Sequence, residues 1–175
     1  MSVIGIDGGK SGAIAWLGDN DQLQVHDIPM RPVMVGGKER RELDPEAYLS
    51  ILRGWIGDYP NCLTTRAFVE RNREIPRTGA DGRVHKQSGM YEFGFTNGML
   101  VMGLAACHVE YTMVEPQTWK RAVHLLGKDK EASRAKASEL FLFGGALWPN
   151  MGHHGRAEAA LIAYCGAHNL LKGPQ

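Results

Sequence analysis

The chain has 175 residues, 43% of them hydrophobic and 22% charged, with a formal net charge of +1. That length accommodates one domain spanning 1–175 and excludes two full-sized ones. Its longest apolar stretch, Gly98 to Cys107, is far short of the ~20 residues of a membrane helix. We expect no membrane association. Cys62, Cys107 and Cys165 are odd in number and widely spaced, which fits reduced thiols in a cytoplasmic protein better than a disulfide framework or a zinc site.

Val3 to Asp7 reads as a buried strand closing on an aspartate. A turn over Gly8–Gly12 leads to a returning strand, Ala13 to Leu17, and then to a third antiparallel strand, Leu23 to Ile28, which Pro29 ends. Asp44-Pro45 reads as a helix N-cap and first helical residue, and the helix buries Tyr48, Leu49, Leu52 and Ile56. Ala67 to Glu70 is a fourth short apolar strand that also ends in a carboxylate. Arg71 to Lys86 is a long loop, a functional candidate by its length. Gln87 to Cys107 has helical periodicity: Tyr91, Phe95, Met99, Met102 and Ala106 share one side, and Gly94, Gly98 and Gly103 thin the other. That pattern suits either a core helix or a subunit interface. Val109 to Glu115 is a fifth strand, and Pro116 opens a short helix. Two more helices, Glu131 to Phe143 and Arg156 to Leu171, complete the chain. Three antiparallel strands followed by two more alternating with helices predict a mixed five-stranded α/β sheet flanked by helices.

The near-neutral total hides three locally basic stretches. Arg31, Lys38, Arg40 and Arg41 stand against a single Glu39; six basic side chains lie between Arg66 and Lys86, and six more between Gln117 and Lys136. Phosphate is captured by local potential, so a polyanionic partner is open to this chain; a solvated charged surface is the competing explanation. Asp7 and Glu70 each follow a short apolar run, so parallel neighbouring strands would bring both to one sheet edge. Glu158 sits in the first turn of the last helix on the side of Leu161, Ile162 and Cys165, where an unpartnered carboxylate is costly. Crowded carboxylates repel and take up protons unless a divalent cation lies between them. Magnesium suits such oxygen ligands, and two ions ~3.5–4 Å apart can drive phosphodiester hydrolysis. Singly, Asp7 also suits a turn and Glu158 a helix N-terminus. Glu74 and Glu92 are weaker rivals, and Glu115 before Pro116 reads as a helix cap.

Ile4-Gly5-Ile6-Asp7-Gly8-Gly9-Lys10-Ser11-Gly12-Ala13-Ile14-Ala15, Phe68-Val69-Glu70 and Gly155-Arg156-Ala157-Glu158-Ala159-Ala160-Leu161-Ile162-Ala163 resemble, in that order, the RuvC-like Holliday junction resolvases. Glu115-Pro116-Gln117-Thr118-Trp119-Lys120, followed by Lys128-Asp129-Lys130, is similar to their phage and organellar branch. The resemblance implies an RNase H-like fold, a homodimer, a four-way DNA junction as substrate, and nicking that depends on Mg2+, with Mn2+ able to substitute. It assigns Asp7, Glu70 and Glu158 to the metal, with His153 or His154 in place of a further ligand, His154 the better placed for the metal. It also implies a bacterial or phage-infected cell. Lys120 and Lys130 are candidates to approach the scissile phosphate, and Arg71, Arg73, Arg77, Arg83 and Lys86 of the long loop to grip DNA. Two positions depart from the family pattern: Gly8 stands where proline is common, and Arg71-Asn72-Arg73 where many relatives carry an aromatic wedge. The alternatives are a related nuclease for flaps or structured RNA, and a non-catalytic junction binder. A nucleotide cofactor is not expected, because position 4 is isoleucine where a Walker loop needs glycine.

Overall fold

The computed structural model describes residues 1–9, 11–57, 64–71, 77–78, 84–85 and 90–171, with side chains at 77, 78, 84, 85 and 90 left aside. In chain order the elements are β1 (Ser2–Asp7), β2 (Ala13–Leu17), β3 (Leu23–Asp27), β4 (Met30–Val35), β5 (Lys38–Leu43), α1 (Pro45–Ile56), β6 (Thr65–Glu70), β7 (Arg77–Thr78), β8 (Val84–His85), α2 (Met90–Ala106), β9 (Glu110–Val114), α3 (Pro116–Ala122), α4 (Lys130–Leu140) and α5 (His154–Ala167). A five-stranded sheet runs in the order β3-β2-β1-β6-β9. β1, β2 and β3 pair antiparallel, whereas β6 pairs parallel to β1 and β9 parallel to β6. This is the expected mixed sheet. Among the described residues, no helix is long and apolar enough to cross a membrane.

Strand alternation divides the core between the two faces of the sheet. Ile4, Ile6, Ile14, Ala67 and Val69 point to the side covered by α1 and α2, with Tyr48, Leu52, Leu100 and Leu104. Val3, Ala13, Ala15 and Val114 point to the other side, where they meet α5, Trp119 of α3 and Ala137 of α4. The second face decides the site, because Asp7 is in phase with Val3 and Glu70 with Phe68.

Helix α5 lies unusually close to this face. Its side chains are mostly small, and a Cβ built on Gly5 would fall 2.2 Å from the carbonyl oxygen of Ala159 and 2.4 Å from the nitrogen of Ala163. We therefore expect Gly5→Ala to push α5 off β1 and to cost about 1–3 kcal/mol of stability, in the range of overpacked cores. Urea denaturation checks this; an unchanged midpoint would refute the close approach.

Several boundaries differ from the sequence reading. Helix α4 ends at Leu140, not Phe143, because Phe141 turns extended and packs its ring edgewise against Trp148 and Tyr164. Leu142 and Phe143 are left exposed. Helix α5 starts two residues earlier than expected, at His154, and ends at Ala167. The 71–86 segment is not a plain loop, since β7 and β8 pair antiparallel within it, Arg77 opposite His85. The apolar stripe of α2 is not core: Tyr91, Phe95 and Met102 are exposed, and the buried face is instead Leu100, Gly103 and Leu104. Gly103 is the glycine that admits a neighbour, the ring of Tyr48 in α1. Leu49 is half-buried, while its companions Tyr48, Leu52 and Ile56 are buried as expected. Asp44 caps α1 by accepting from the backbone N–H groups of Glu46 and Ala47.

The β4–β5 hairpin has no counterpart in the sequence reading, which treated this stretch only as charge. Gly36 and Gly37, both at positive φ, form its two-residue turn, the backbone geometry that joins tightly paired strands.

Candidate active site

The register places Asp27, Ala13, Asp7, Glu70 and Val114 in one row along the carboxyl edge of the sheet. Asp27 pairs with Ala13, Ala13 with Asp7, and Glu70 with Val114. Since Ile6 is opposite Val69 on a parallel strand, Asp7 and Glu70 are next to one another in that row. Both carboxylates are buried, and both project toward α5, which contributes the third, Glu158. The first turn of α5 is held against the β1–β2 turn: a Cβ on Gly155 would meet Ser11 O at 2.0 Å and Asp7 Oδ2 at 3.2 Å. Arg156 fixes the same turn from outside with a bidentate pair to Asp27, both contacts 2.7 Å, and donates to the carbonyl of Leu147.

Each carboxylate has one dedicated donor. Gly9 N–H donates to Asp7 Oδ1 at 2.9 Å, the Trp119 indole N–H to Glu70 Oε2 at 2.6 Å, and Ser133 Oγ to Glu158 Oε1 at 3.0 Å. Lys120 Nζ lies 3.6 Å from Glu158 Oε1 and, among the described residues, is the ammonium in range of the carboxylates. These donors do not compensate burial. Loss of water is the largest influence on Asp7 and pushes its carboxyl up to about 6, with the Glu158 charge adding to it against the Gly9 bond. Burial, then the charge of Asp7, pushes Glu70 up to about 7 despite the Trp119 donor. The two acids therefore hold protons well above the ordinary carboxylate range.

A second group adjoins this one. His154 Nε2 is 2.9 Å from Lys130 Nζ and 3.1 Å from Ser11 Oγ, and its Nδ1 is 3.1 Å from the carbonyl of Met151. A carbonyl only accepts and an ammonium only donates, so the ring carries its proton on Nδ1 and accepts at Nε2. His153 lies just before α5, half-buried, and its Nδ1 has no partner among the described residues.

Of the residues expected at the site, Asp7, Glu70, Glu158, His154, Lys120 and Lys130 are thus brought together. Arg71 lies at the same edge but pairs with Glu115 at 3.8 Å. That corrects the expected capping role of Glu115, whose side chain does not cap α3. Glu92, a rival acid, is ion-paired with Arg40 away from the carboxylates. Arg73, Arg83, Lys86, Glu74 and Cys62 lie outside the described residues, as does the side chain of Arg77. Tyr91, on the stripe that suits either a core helix or a subunit interface, is exposed.

Trp119, Ser133 and Ser11 were not identified from the sequence as donors to site groups. Only Trp119 left a signal, as the neighbour of Lys120. Gly8 is accounted for by α2: a Cβ there would lie 2.2 Å from Asn97 Oδ1, so any larger residue displaces that side chain.

Two solved structures show this arrangement of elements. Thermus thermophilus RuvC superposes with a TM-score of 0.57 at 14% sequence identity, covering 97% of this chain and 98% of its own. T. thermophilus RuvC in complex with Holliday junction substrate gives 0.56 at 15%, covering 95% and 93%. The chain has the RuvC fold. It is a RuvC-like, RNase H-like architecture over nearly its whole length. No protein-family model matches the sequence, and no curated protein does. At this identity the likeness to RuvC is one of fold.

The carboxylate row fits a hard divalent cation on its donor chemistry. Three buried carboxylates face one lysine among the described residues, and two of them retain protons where carboxylates are ordinarily ionised. Among the described residues no group of three or more His, Cys, Asp or Glu side chains is placed to hold a metal ion, so the three carboxylates as they stand are not a ready-made three-ligand site. Magnesium instead uses one or two carboxylates and keeps several waters.

Proposed function

We propose that this protein is a metal-dependent, structure-specific endonuclease that resolves four-way DNA junctions by paired phosphodiester hydrolysis. The observation that carries this is the juxtaposition of Asp7 and Glu70 at the parallel β1–β6 edge, with Glu158 of α5 in the same field, in a fold shared with a protein solved on a Holliday junction substrate.

Asp7, Glu70 and Glu158 would hold the cation, and Mg2+ in that place would activate water and stabilise the leaving oxygen. The chain's own groups do the rest. Gly9 N–H, Trp119 and Ser133 each occupy one carboxylate oxygen and fix the orientation of the acid. Lys120 supplies positive charge beside Glu158, where a scissile phosphate would carry its developing negative charge. The Lys130–His154 pair places a donor and an acceptor within 2.9 Å of each other. With Lys130 drawn to a phosphate, His154 Nε2 would be left to accept a proton or to help hold the cation. Arg71 and the basic side chains of the 71–86 segment are the proposed grip on the strands.

Symmetric cutting needs two sites, and the second copy is proposed to dock on α2. Its exposed apolar residues Tyr91, Phe95 and Met102, the first two stacked with ring centroids 6.0 Å apart, form the kind of face that a homodimer covers.

The test is cleavage of a labelled four-way junction in Mg2+ beside linear duplex and a flap. Paired, symmetric nicks on the junction alone are expected. Cutting of the flap or of an RNA duplex instead would reassign the protein to another nuclease of this fold. Binding without cutting, in Mg2+ and in Mn2+, would leave a junction-binding protein and remove the catalytic reading.

A further inference from the structure

The β4–β5 hairpin plays no part in the site described above, yet it leaves the sheet beside it. The chain exits β3 at Asp27, in the same row as Asp7 and two strands away, or about 10 Å at the usual strand spacing. Ile28 N–H bonds to the carbonyl of Gly12 and Asp44 N–H to that of Pro29, so both ends of the hairpin are tied at that edge. From there six residue pairs, Met30 opposite Leu43 through Val35 opposite Lys38, form a ribbon apart from the main sheet. At ~3.4 Å per residue it reaches roughly 17 Å from root to tip.

A two-stranded ribbon is marginal on its own. This one is anchored at its root by buried Leu43 and half-buried Met30, and along its length by the ion pair of Arg40 with Glu92 in the first turn of α2. Beyond the anchors it is exposed. Arg31, Lys38 and Arg41 make no ion pair among the described residues and stand in solvent. Residues directly opposite share a face, so Arg31, Lys38 and Arg40 lie on one side with only Glu42 as an acid, and Arg41 lies on the other with Glu39. The tip carries Met34, 69% exposed, and Val35, 45% exposed, a costly placement for apolar side chains unless something covers them.

We infer that the β4–β5 ribbon is a DNA-binding arm that lies against a double-helical segment flanking the cleavage site. Arg31, Lys38 and Arg41 meet phosphates, and Met34 and Val35 bear on the groove at the tip. A two-stranded ribbon has the cross-section that the ~12 Å major groove admits, and apolar tips are a known means of pressing on DNA. Charge complementarity favours nucleic acid as the occupant: Lys38 stands at the apolar tip with Glu39 opposite Met34, Arg31 and Arg41 follow toward the root, and the ribbon begins at the edge where the carboxylates would cut a phosphodiester. This rests on the nuclease reading for its orientation, but it requires only duplex DNA as ligand.

The test compares wild type with the triple variant Arg31→Gln/Lys38→Gln/Arg41→Gln and with Met34→Ser/Val35→Thr, leaving the anchor Arg40 in place. Anisotropy with a labelled four-way junction and a labelled linear duplex, in EDTA over a salt series, gives Kd and its salt slope. The triple variant is expected to weaken both DNAs tenfold or more and to flatten the slope by about 2–3, at ~0.9 per lost phosphate contact. The tip variant is expected to weaken binding several-fold with the slope unchanged. If the triple variant fails to fold, Lys38→Gln at the exposed turn serves alone, with a slope change near 1. Kd and slope equal to wild type in the folded variants would overturn the arm, even if junctions are cut normally. Conversely, a wild type that binds duplex through this ribbon but never cuts a junction would overturn the resolvase reading and leave the arm standing.

Discussion

Glu70→Gln is expected to abolish junction cleavage while making the metal-free protein more stable. The substitution keeps the volume and an oxygen that accepts from Trp119, so the 2.6 Å indole bond has a partner in the variant. What it removes is a buried negative charge beside Asp7 and in the field of Glu158. On the metal-dependent reading that charge is worth several kcal/mol of transition-state stabilisation, on the order of a thousandfold or more in rate. Junction affinity should hold or improve, because one repulsive charge near the phosphate is gone. Single-turnover cleavage, anisotropy in EDTA and a thermal melt check the three parts together. Loss of activity accompanied by a lower melting temperature would show a structural role, and full activity would exclude Glu70 from catalysis.

The metal-free protein should also become less stable as pH rises from about 4 to 7, the reverse of ordinary acid denaturation. Asp7 is raised from 3.8 to about 6 and Glu70 from 4.5 to about 7, so between those limits the folded state binds more protons than the unfolded one. Stability then falls with rising pH, and the contribution is fully present only below the unfolded values. At ~1.4 kcal/mol per pKa unit, each group withdraws on the order of 3 kcal/mol by pH 7.5. Asp27 acts oppositely: its bidentate bond with Arg156 lowers it, so its contribution is lost only below the ordinary aspartate range. The windows therefore separate. Urea melts from pH 5 to 7.5 in EDTA should show the decline, and Asp7→Asn/Glu70→Gln should flatten it. Millimolar Mg2+ should restore stability at pH 7.5 in wild type alone, because a cation that binds only the folded carboxylates stabilises by mass action. A flat wild-type profile would mean that the two acids are solvated, and no effect of Mg2+ would count against the proposed metal.

Much of this was legible along the chain. The short apolar runs of β1 and β6, each closing on an acid, the Asp44-Pro45 start of α1 and the place of Glu158 on the side of Leu161, Ile162 and Cys165 in α5 are local patterns that survive folding unchanged. Local periodicity reports only which side of an element is apolar, not what covers it, so the stripe of Tyr91, Phe95 and Met102 read equally as core or interface and proved exposed. Nor did it disclose the hairpin, whose strands are largely exposed and carry charge on both faces, without the clean alternation that marks a half-buried strand.

The sequence by itself determined the identity and order of the acids and the elements that carry them, because those depend on residues a few positions apart. Only the tertiary structure decided that Asp7 and Glu70 are neighbours, which requires β6 to pair parallel with β1 across more than sixty residues. The same holds for the Trp119 and Ser133 donors and for the union of Ser11, Lys130 and His154, drawn from three distant segments. Such contacts form when burial of the α5 face against the sheet outweighs the entropy of closing long loops, and no local pattern encodes the partners that burial selects.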